Sequence, residues 1–254
     1  MSYKRSKYFT TSNKRKIKHF ILNNKSKITV VFFHGFMSDM IGAKPKAIQR
    51  FCSKHKLNFL KFEYSGHGKS SGKFTEGNIS KWTNDAKQLI KAKVKKDSNL
   101  IFVGSSMGSW VALKLIKKFK KKINGFIGIS SAPEFLDRLM WRKFNKKIKK
   151  KIIKEKFYNL HMSNSVYPLT KQLIWDGRKN KILNKKILFK IRVTLFHSLR
   201  DEVVPLKFSK MIFKIFPNSN RKLIKIKDGN HSLSRKRDLK KICSELNNII
   251  SKKD

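Results

Sequence analysis

The segment Ile28–Phe33 reads ITVVFF, a continuous apolar run bounded by polar residues. Such a run marks a strand buried on both faces, since a half-exposed strand would alternate polar and apolar residues. Further strands are expected at Leu57–Tyr64, Leu100–Val103, Gly125–Ile129, Val193–Phe196 and Leu223–Ile226. Helical stretches come between and after them, at Ala43–His55, Asn78–Lys93, Met107–Phe119, Leu206–Ile215 and Leu239–Ile250. In Asn78–Lys93 the residues Ile79, Trp82, Ala86, Leu89 and Ile90 fall on one stripe. The alternation predicts an α/β fold, a mostly parallel central sheet flanked by helices on both faces. Lys16–Leu22 is expected as an early strand, paired with Tyr8–Thr11 across the polar turn at Ser12–Asn13. A chain of 254 residues suits a single domain and buries a full core without cross-links.

The rhythm breaks between Ala132 and Leu188, a long, helix-biased and very basic stretch without a clear buried strand. A departure of that length inside a compact fold is usually functional, so residues 132–188 are expected as a cap-like insertion. Its densest basic run, Lys143–Lys156, reads first as a solvated helix face and second as a contact for an anionic ligand.

Gly104-Ser105-Ser106-Met107-Gly108 fits the pattern G-x-S-x-G. It follows an apolar strand and opens a helical stretch, the setting that a sharp nucleophile turn requires. A serine hydroxyl attacks only when a base takes its proton. His231, in Asp228-Gly229-Asn230-His231-Ser232, lies between the last strand and the last helix, at the carboxyl edge of the sheet. The acid that holds the imidazole should follow the penultimate strand, in His197-Ser198-Leu199-Arg200-Asp201-Glu202. Asp201 is the candidate, and Glu202, facing the other way, is the alternative. Backbone N–H groups of Met107 and of Phe36, in His34-Gly35-Phe36, are expected to form the oxyanion hole. His34 itself is expected to be a structural hydrogen-bonding residue.

The charge balance is 62 Lys+Arg against 15 Asp+Glu, a formal net of +47. Such an excess can serve nucleic acid or an anionic membrane. Here the cations are spread along the whole chain, and Lys dominates over Arg, the residue suited to bidentate phosphate and base contacts. Lys, Ile, Asn and Phe are all abundant, and all have codons built from A and T alone. The charge therefore reads as a compositional bias, and no specific nucleic-acid partner is expected. Cys52 and Cys243 stand far apart, outside any C-x-x-C pair, so no metal, redox centre or cofactor is expected. No apolar signal core precedes Ile28, and no run of about 18 apolar residues occurs, which leads us to expect a soluble, cytoplasmic protein.

Taken together, the motifs resemble the α/β-hydrolase superfamily over almost the full length. Within it the chain is most similar to bacterial relatives of the mitochondrial palmitoyl-protein thioesterase that also cleaves mycophenolic acid acyl-glucuronide. The resemblance is carried by His34–Met40 (HGFMSDM), Phe62–Gly72 (FEYSGHGKSSG), Gly104–Trp110 (GSSMGSW), Leu139–Trp141, Tyr167–Arg178 (YPLTKQLIWDGR) and Arg200–Pro205 (RDEVVP). It implies hydrolysis of a small carboxylic ester or thioester, with S-acyl proteins and acyl-glucuronides as substrates of such relatives. Met140, Trp141, Tyr167 and Leu169, in or beside these stretches, are then expected either to line an acyl pocket or to anchor the insertion. Ser109 departs from the pattern, where Gly is common, and so does the lysine load. The serine at the elbow disfavours the dehalogenase and epoxide-hydrolase branches, which carry Asp there. It leaves C–C hydrolysis and perhydrolysis open.

Overall fold

The computed structural model describes residues 6–162 and 165–251. β1 (Lys7–Thr10) and β2 (Lys16–Leu22) form an antiparallel hairpin, and β2 pairs antiparallel with β4 (Asn58–Phe62). From β4 onward the neighbours run parallel: β3 (Ile28–Phe33), β5 (Asn99–Ser105), β6 (Ile123–Ile129), β9 (Arg192–Ser198) and β10 (Asn220–Ile226). The result is an 8-stranded, mostly parallel sheet in the order β1-β2-β4-β3-β5-β6-β9-β10, with β1 and β10 at its edges. β4 lies on one side of β3 and β5 on the other, so the chain reverses its direction across the sheet at β3. The carboxyl ends of β3 and β5 open the crevice where ligands bind in sheets of this kind.

The continuous apolar runs have a direct cause. Successive side chains of a strand point to opposite faces, and here each face meets its own layer. Val31 and Phe33 of β3 and Leu100 and Phe102 of β5 enter one apolar cluster, with α2 (Ile79–Lys93) and α3 (Met107–Ile116). Val30, Phe32, Ile101 and Val103 enter the other, with α1 (Ala43–Lys54) and α7 (Lys236–Ser251). A polar residue at any of these positions would face a core. α2 begins where the Asn78 side chain accepts the Lys81 amide at 2.8 Å, and its Trp82 is fully buried, donating its indole N–H to the Ser65 carbonyl at 3.0 Å. Residues 207–213 form α6, packed through Phe208 and Ile212 on the first cluster.

The stretch between β6 and β9 holds more than helices. A wide π-type turn (Leu136–Met140) runs into a tight 3₁₀ turn (Trp141–Lys143), then α4 (Lys146–Glu155), the hairpin β7 (Phe157–Met162) and β8 (Ser165–Thr170), and α5 (Lys171–Lys179). The hairpin was not expected from the sequence. Only one face of this two-stranded ribbon packs on the rest of the molecule: Tyr158 and Leu160 are half-buried while Phe157 and His161 are exposed. That leaves a short alternation instead of an apolar run, and Pro168 inside β8 further disguises it.

Glu134 ties this stretch together. Its carboxylate, almost wholly buried, accepts the amides of Ile182 and Leu183 at 2.8 Å each and the Arg138 Nε at 2.7 Å. We predict that Glu134→Ala lowers the melting temperature, because two buried amides lose their acceptor at a cost of about 1–3 kcal/mol each. Thermal unfolding measures it, and an unchanged midpoint would remove Glu134 from this role.

Candidate active site

The elbow between β5 and α3 forces Ser106 into a backbone conformation that L-residues seldom adopt, with φ 50° and ψ −119°. The turn is possible because glycine flanks it. A Cβ on Gly108 would stand 2.2 Å from the Phe33 carbonyl oxygen, and one on Gly104 would stand 2.5 Å from Ser109 Cα. Ser109, unusual for the motif, is put to use. Its hydroxyl donates to the Gly104 carbonyl at 2.7 Å and accepts from Ser131 Oγ at 2.9 Å, lacing the elbow to the strand beside it. The Ser106 amide donates to the Ile129 carbonyl of β6 at 2.9 Å.

Two loops at the same sheet edge bring partners to this serine. His231 Nε2 lies 3.1 Å from Ser106 Oγ, and its Nδ1 lies 2.9 Å and 3.0 Å from the two oxygens of Asp201. The carboxylate thus holds the imidazole proton on Nδ1, and Nε2 is left to accept from the Ser106 hydroxyl. Asp201 Oδ1 also accepts the amides of Val203 at 3.0 Å and Val204 at 2.8 Å. The loops are joined behind the site by Ser198, whose hydroxyl donates to the Gly229 carbonyl at 2.5 Å. Glu202 is exposed and makes no part of this chain of contacts.

Burial works to raise the Asp201 pKa. The hydrogen bond from His231, the His231 charge and the two amides outweigh it, and the carboxyl stays below its ordinary value. His197 stands directly behind Asp201, its Nε2 3.8 Å from Oδ2. It is fully buried, accepts from Ser209 Oγ at 2.9 Å and donates through Nε2 to the Val204 carbonyl at 2.8 Å. Burial, the largest influence, lowers its pKa against the opposing hydrogen bond to Val204 and the Asp201 charge. His34 is buried at the end of β3, bonded to the Gly35 carbonyl at 2.8 Å, and burial and the nearby His67 hold it well below its usual range.

A cavity of about 730 Å³ opens over Ser106 and His231, within the usual size for small-molecule sites. Gly35 borders it and approaches the serine, since a Cβ there would lie 3.5 Å from Ser106 Cβ. This brings the backbone before Phe36 alongside the elbow, and Met107 is the first residue of α3. Met140 and Tyr167 line the cavity, the Tyr167 ring stacked 6.1 Å from that of Phe36. Trp141 and Leu169 do not line it. The change of pitch after Met140 turns Trp141 away, onto Trp175 at 4.9 Å between ring centroids, with the Arg178 guanidinium over its face. Leu169 shares the hairpin face of Tyr167 but sits two residues nearer α5, fully buried in the larger core. Unanticipated lining residues are Phe135, Leu139, Phe144, Leu160 and Lys44. For Leu160 the strand alternation in β7 was the available signal.

This fold, with a serine on a strained strand-to-helix turn at the switch point of the sheet, defines an α/β-hydrolase, a serine hydrolase of the esterase kind. Residues 24–174 match the family described as serine aminopeptidase, S33 (Hydrolase_4), and the chain belongs to that family. It is 26% identical over 229 residues to the bovine palmitoyl-protein thioesterase ABHD10, mitochondrial, covering 88% of this chain and 73% of the relative. A solved structure from Agrobacterium vitis S4, described as a hydrolase, superimposes with a TM-score of 0.91 at 26% identity, covering 97% of this chain and 99% of that one. Mouse alpha/beta hydrolase domain-containing protein 10 does so with a TM-score of 0.88 at 23% identity, covering 97% and 98%. Among the described residues no helix is long and apolar enough to cross a membrane.

A carboxyl whose pKa falls on folding adds stability above its unfolded pKa, and loses it as pH drops through the folded value. Asp201→Asn is therefore expected to melt below the wild type at neutral pH. The gap should close at the acid end, once the wild-type carboxyl is itself protonated. Melting curves across pH check this, and a gap that persists at the lowest pH would contradict it.

Proposed function

We propose that the chain cleaves carboxylic esters and thioesters through an acyl-enzyme on Ser106. The observation that carries this reading is the unbroken contact chain Asp201–His231–Ser106 at the floor of an apolar cavity. Ser106 Oγ attacks the substrate carbonyl carbon as its proton passes to His231 Nε2. The developing oxyanion is met by the backbone N–H groups of Met107 and Phe36. Asp201 steadies the imidazolium. Collapse of the intermediate expels the alkoxide or thiolate, which takes the proton from His231. Water then repeats the sequence on the acyl-enzyme and releases the carboxylic acid and free Ser106.

In this reading residues 1–254 form a single α/β-hydrolase domain, with residues 132–188 as a cap over the sheet edge. Met140, Leu160 and Tyr167 of the cap receive the acyl chain, since flexible and flat apolar side chains suit it. The name of the mammalian relatives, palmitoyl-protein thioesterase, supports long-chain S-acyl peptides as the first substrates to try, and the resemblance of the motifs adds acyl-glucuronides.

Ser106→Ala is expected to lose turnover on the order of 10³-fold or more, together with all fluorophosphonate labelling, while the fold persists. Asp201→Asn should lower kcat by roughly 10⁴-fold, because the amide favours the wrong imidazole tautomer. Full labelling of the Ser106 variant would sink the assignment.

A second pair of variants tests the cavity. Met140→Trp should shift preference toward shorter acyl chains at nearly unchanged melting temperature. Trp141→Ala should lower the melting temperature through lost contact with Trp175 and leave the acyl preference as it was. Rates on a series of p-nitrophenyl esters decide, and a shifted acyl preference in the Trp141 variant would reverse the assignment of these neighbours.

A further inference from the structure

The surface of this protein is crowded with cations, yet its cavity takes in a single one. Among the described residues lining it, Lys44 is the only Lys or Arg and Asp39 the only acid. Lys44 sits in the first turn of α1 and reaches the loop that carries His231. Its Nζ donates to the Ser232 carbonyl at 2.5 Å and to Ser234 Oγ at 3.1 Å, with Ser232 Oγ at 3.5 Å. All of these acceptors are neutral. Among the described residues no carboxylate forms an ion pair with it. Asp238, whose charge reaches it from α7, is already held by Arg235 at 2.8 Å.

A tether between α1 and the His231 loop needs only a hydrogen-bond donor. A partly buried ammonium is a costly way to supply one unless its charge also meets an anion. The walls of the cavity say where that anion sits. The wall from the insertion is apolar, with Phe135, Leu139, Phe144 and Leu160. The side by His231 brings polar groups, Ser232, Ser234 and Lys44, together with Val203 and Val204. The leaving group must depart on the His231 side, because His231 gives it the proton.

We propose that Lys44, with the Ser232 and Ser234 hydroxyls, forms a subsite for an anionic group on the leaving alcohol or thiol of the substrate. The preferred substrates are then esters and thioesters with an apolar acyl part and a carboxylate or phosphate on the leaving group. The inference rests on the catalytic reading of Ser106 and His231 given above. Burial also lowers the Lys44 pKa to about 8, with Asp238 opposing the shift. The subsite is therefore charged below about pH 8 and loses its charge above it.

The test uses butanoyl thioesters that share one acyl group: those of 2-mercaptoethanol, 3-mercaptopropionate and 2-mercaptoethyl phosphate. Thiol release gives kcat/KM for each. The quantity read is the ratio of an anionic to the neutral substrate, and intrinsic differences between the thiols cancel when variant and wild type are compared. Lys44→Met should lower the ratio by about tenfold or more in at least one anionic arm, as expected for losing a charged hydrogen bond. Lys44→Arg should retain most of it. The two anionic arms show whether carboxylate or phosphate is favoured.

The wild type supplies a test without any variant. Its ratio should fall as pH rises through about 8. Of the charged and titratable groups around Lys44, Asp238 acts on it from its pair with Arg235, and His231 and Asp39 line the same cavity; His231 serves every substrate alike and drops out of the ratio. An unchanged ratio in Lys44→Met in both arms, or a wild-type ratio flat across that range, reduces Lys44 to a tether and overturns the proposal. Failure of the catalytic reading looks different: the wild type would then hydrolyse none of the thioesters and take no fluorophosphonate label on Ser106.

Discussion

The close approach of β3 to the start of α3 governs the geometry of this molecule. With hydrogen alone at Gly108, the helix can come down onto the backbone of Phe33 and His34. That contact sets how sharply the chain turns after β5, and the turn gives Ser106 its positive φ. The same contact sets the end of β3 against the elbow, so Gly35 and the backbone beyond it run alongside the serine. The strain is balanced by the surroundings. α3 is buried on nearly every side, and Ser109 and Ser131 bind the turn to the strand ends. A residue in such a conformation persists only where its neighbours leave it no alternative.

The central strands were legible in the sequence because each of them must satisfy two cores at once. That demand writes an apolar run such as ITVVFF at β3, which few other environments produce. The elbow was legible because its glycines follow from contact distances. The hairpin in the insertion was hidden, since a ribbon covered on one face imposes a weak pattern, which Pro168 blurs further. Trp141 and Leu169 show a different limit. Their near neighbours Met140 and Tyr167 do face the cavity, but whether Trp141 follows Met140 inward depends on a change of helical pitch, and whether Leu169, on the same face as Tyr167, reaches it depends on how far along the hairpin it lies. Neither quantity is written in residue type. His197 and Lys44 were missed for a third reason: their partners lie in other segments, and only folding brings the Val204 carbonyl to one and the Ser232 carbonyl to the other.

Electrostatics divides the molecule into two regimes. Outside, the many lysines are well solvated, and individual ion pairs there contribute little. Inside, few acids are available, and several of them serve as clamps. Asp85 holds Arg15 at 2.7 Å and the Ser65 hydroxyl at 2.6 Å, Glu134 gathers the insertion, and Asp201 orients an imidazole. A composition so poor in carboxylates makes each buried one more consequential, because no neighbouring acid can take over its partners.

The outer strand β10 gives the lysine load a physical consequence of its own. A strand at the end of a sheet offers unpaired backbone groups to any passing chain, and an apolar one invites stacking into fibrils. Here that edge carries Arg221, Lys222 and Lys225, all exposed. A second copy approaching in register would set cation against cation along the whole border. The bias that loads this chain with lysine thus also lines the open margin of its sheet with like charge.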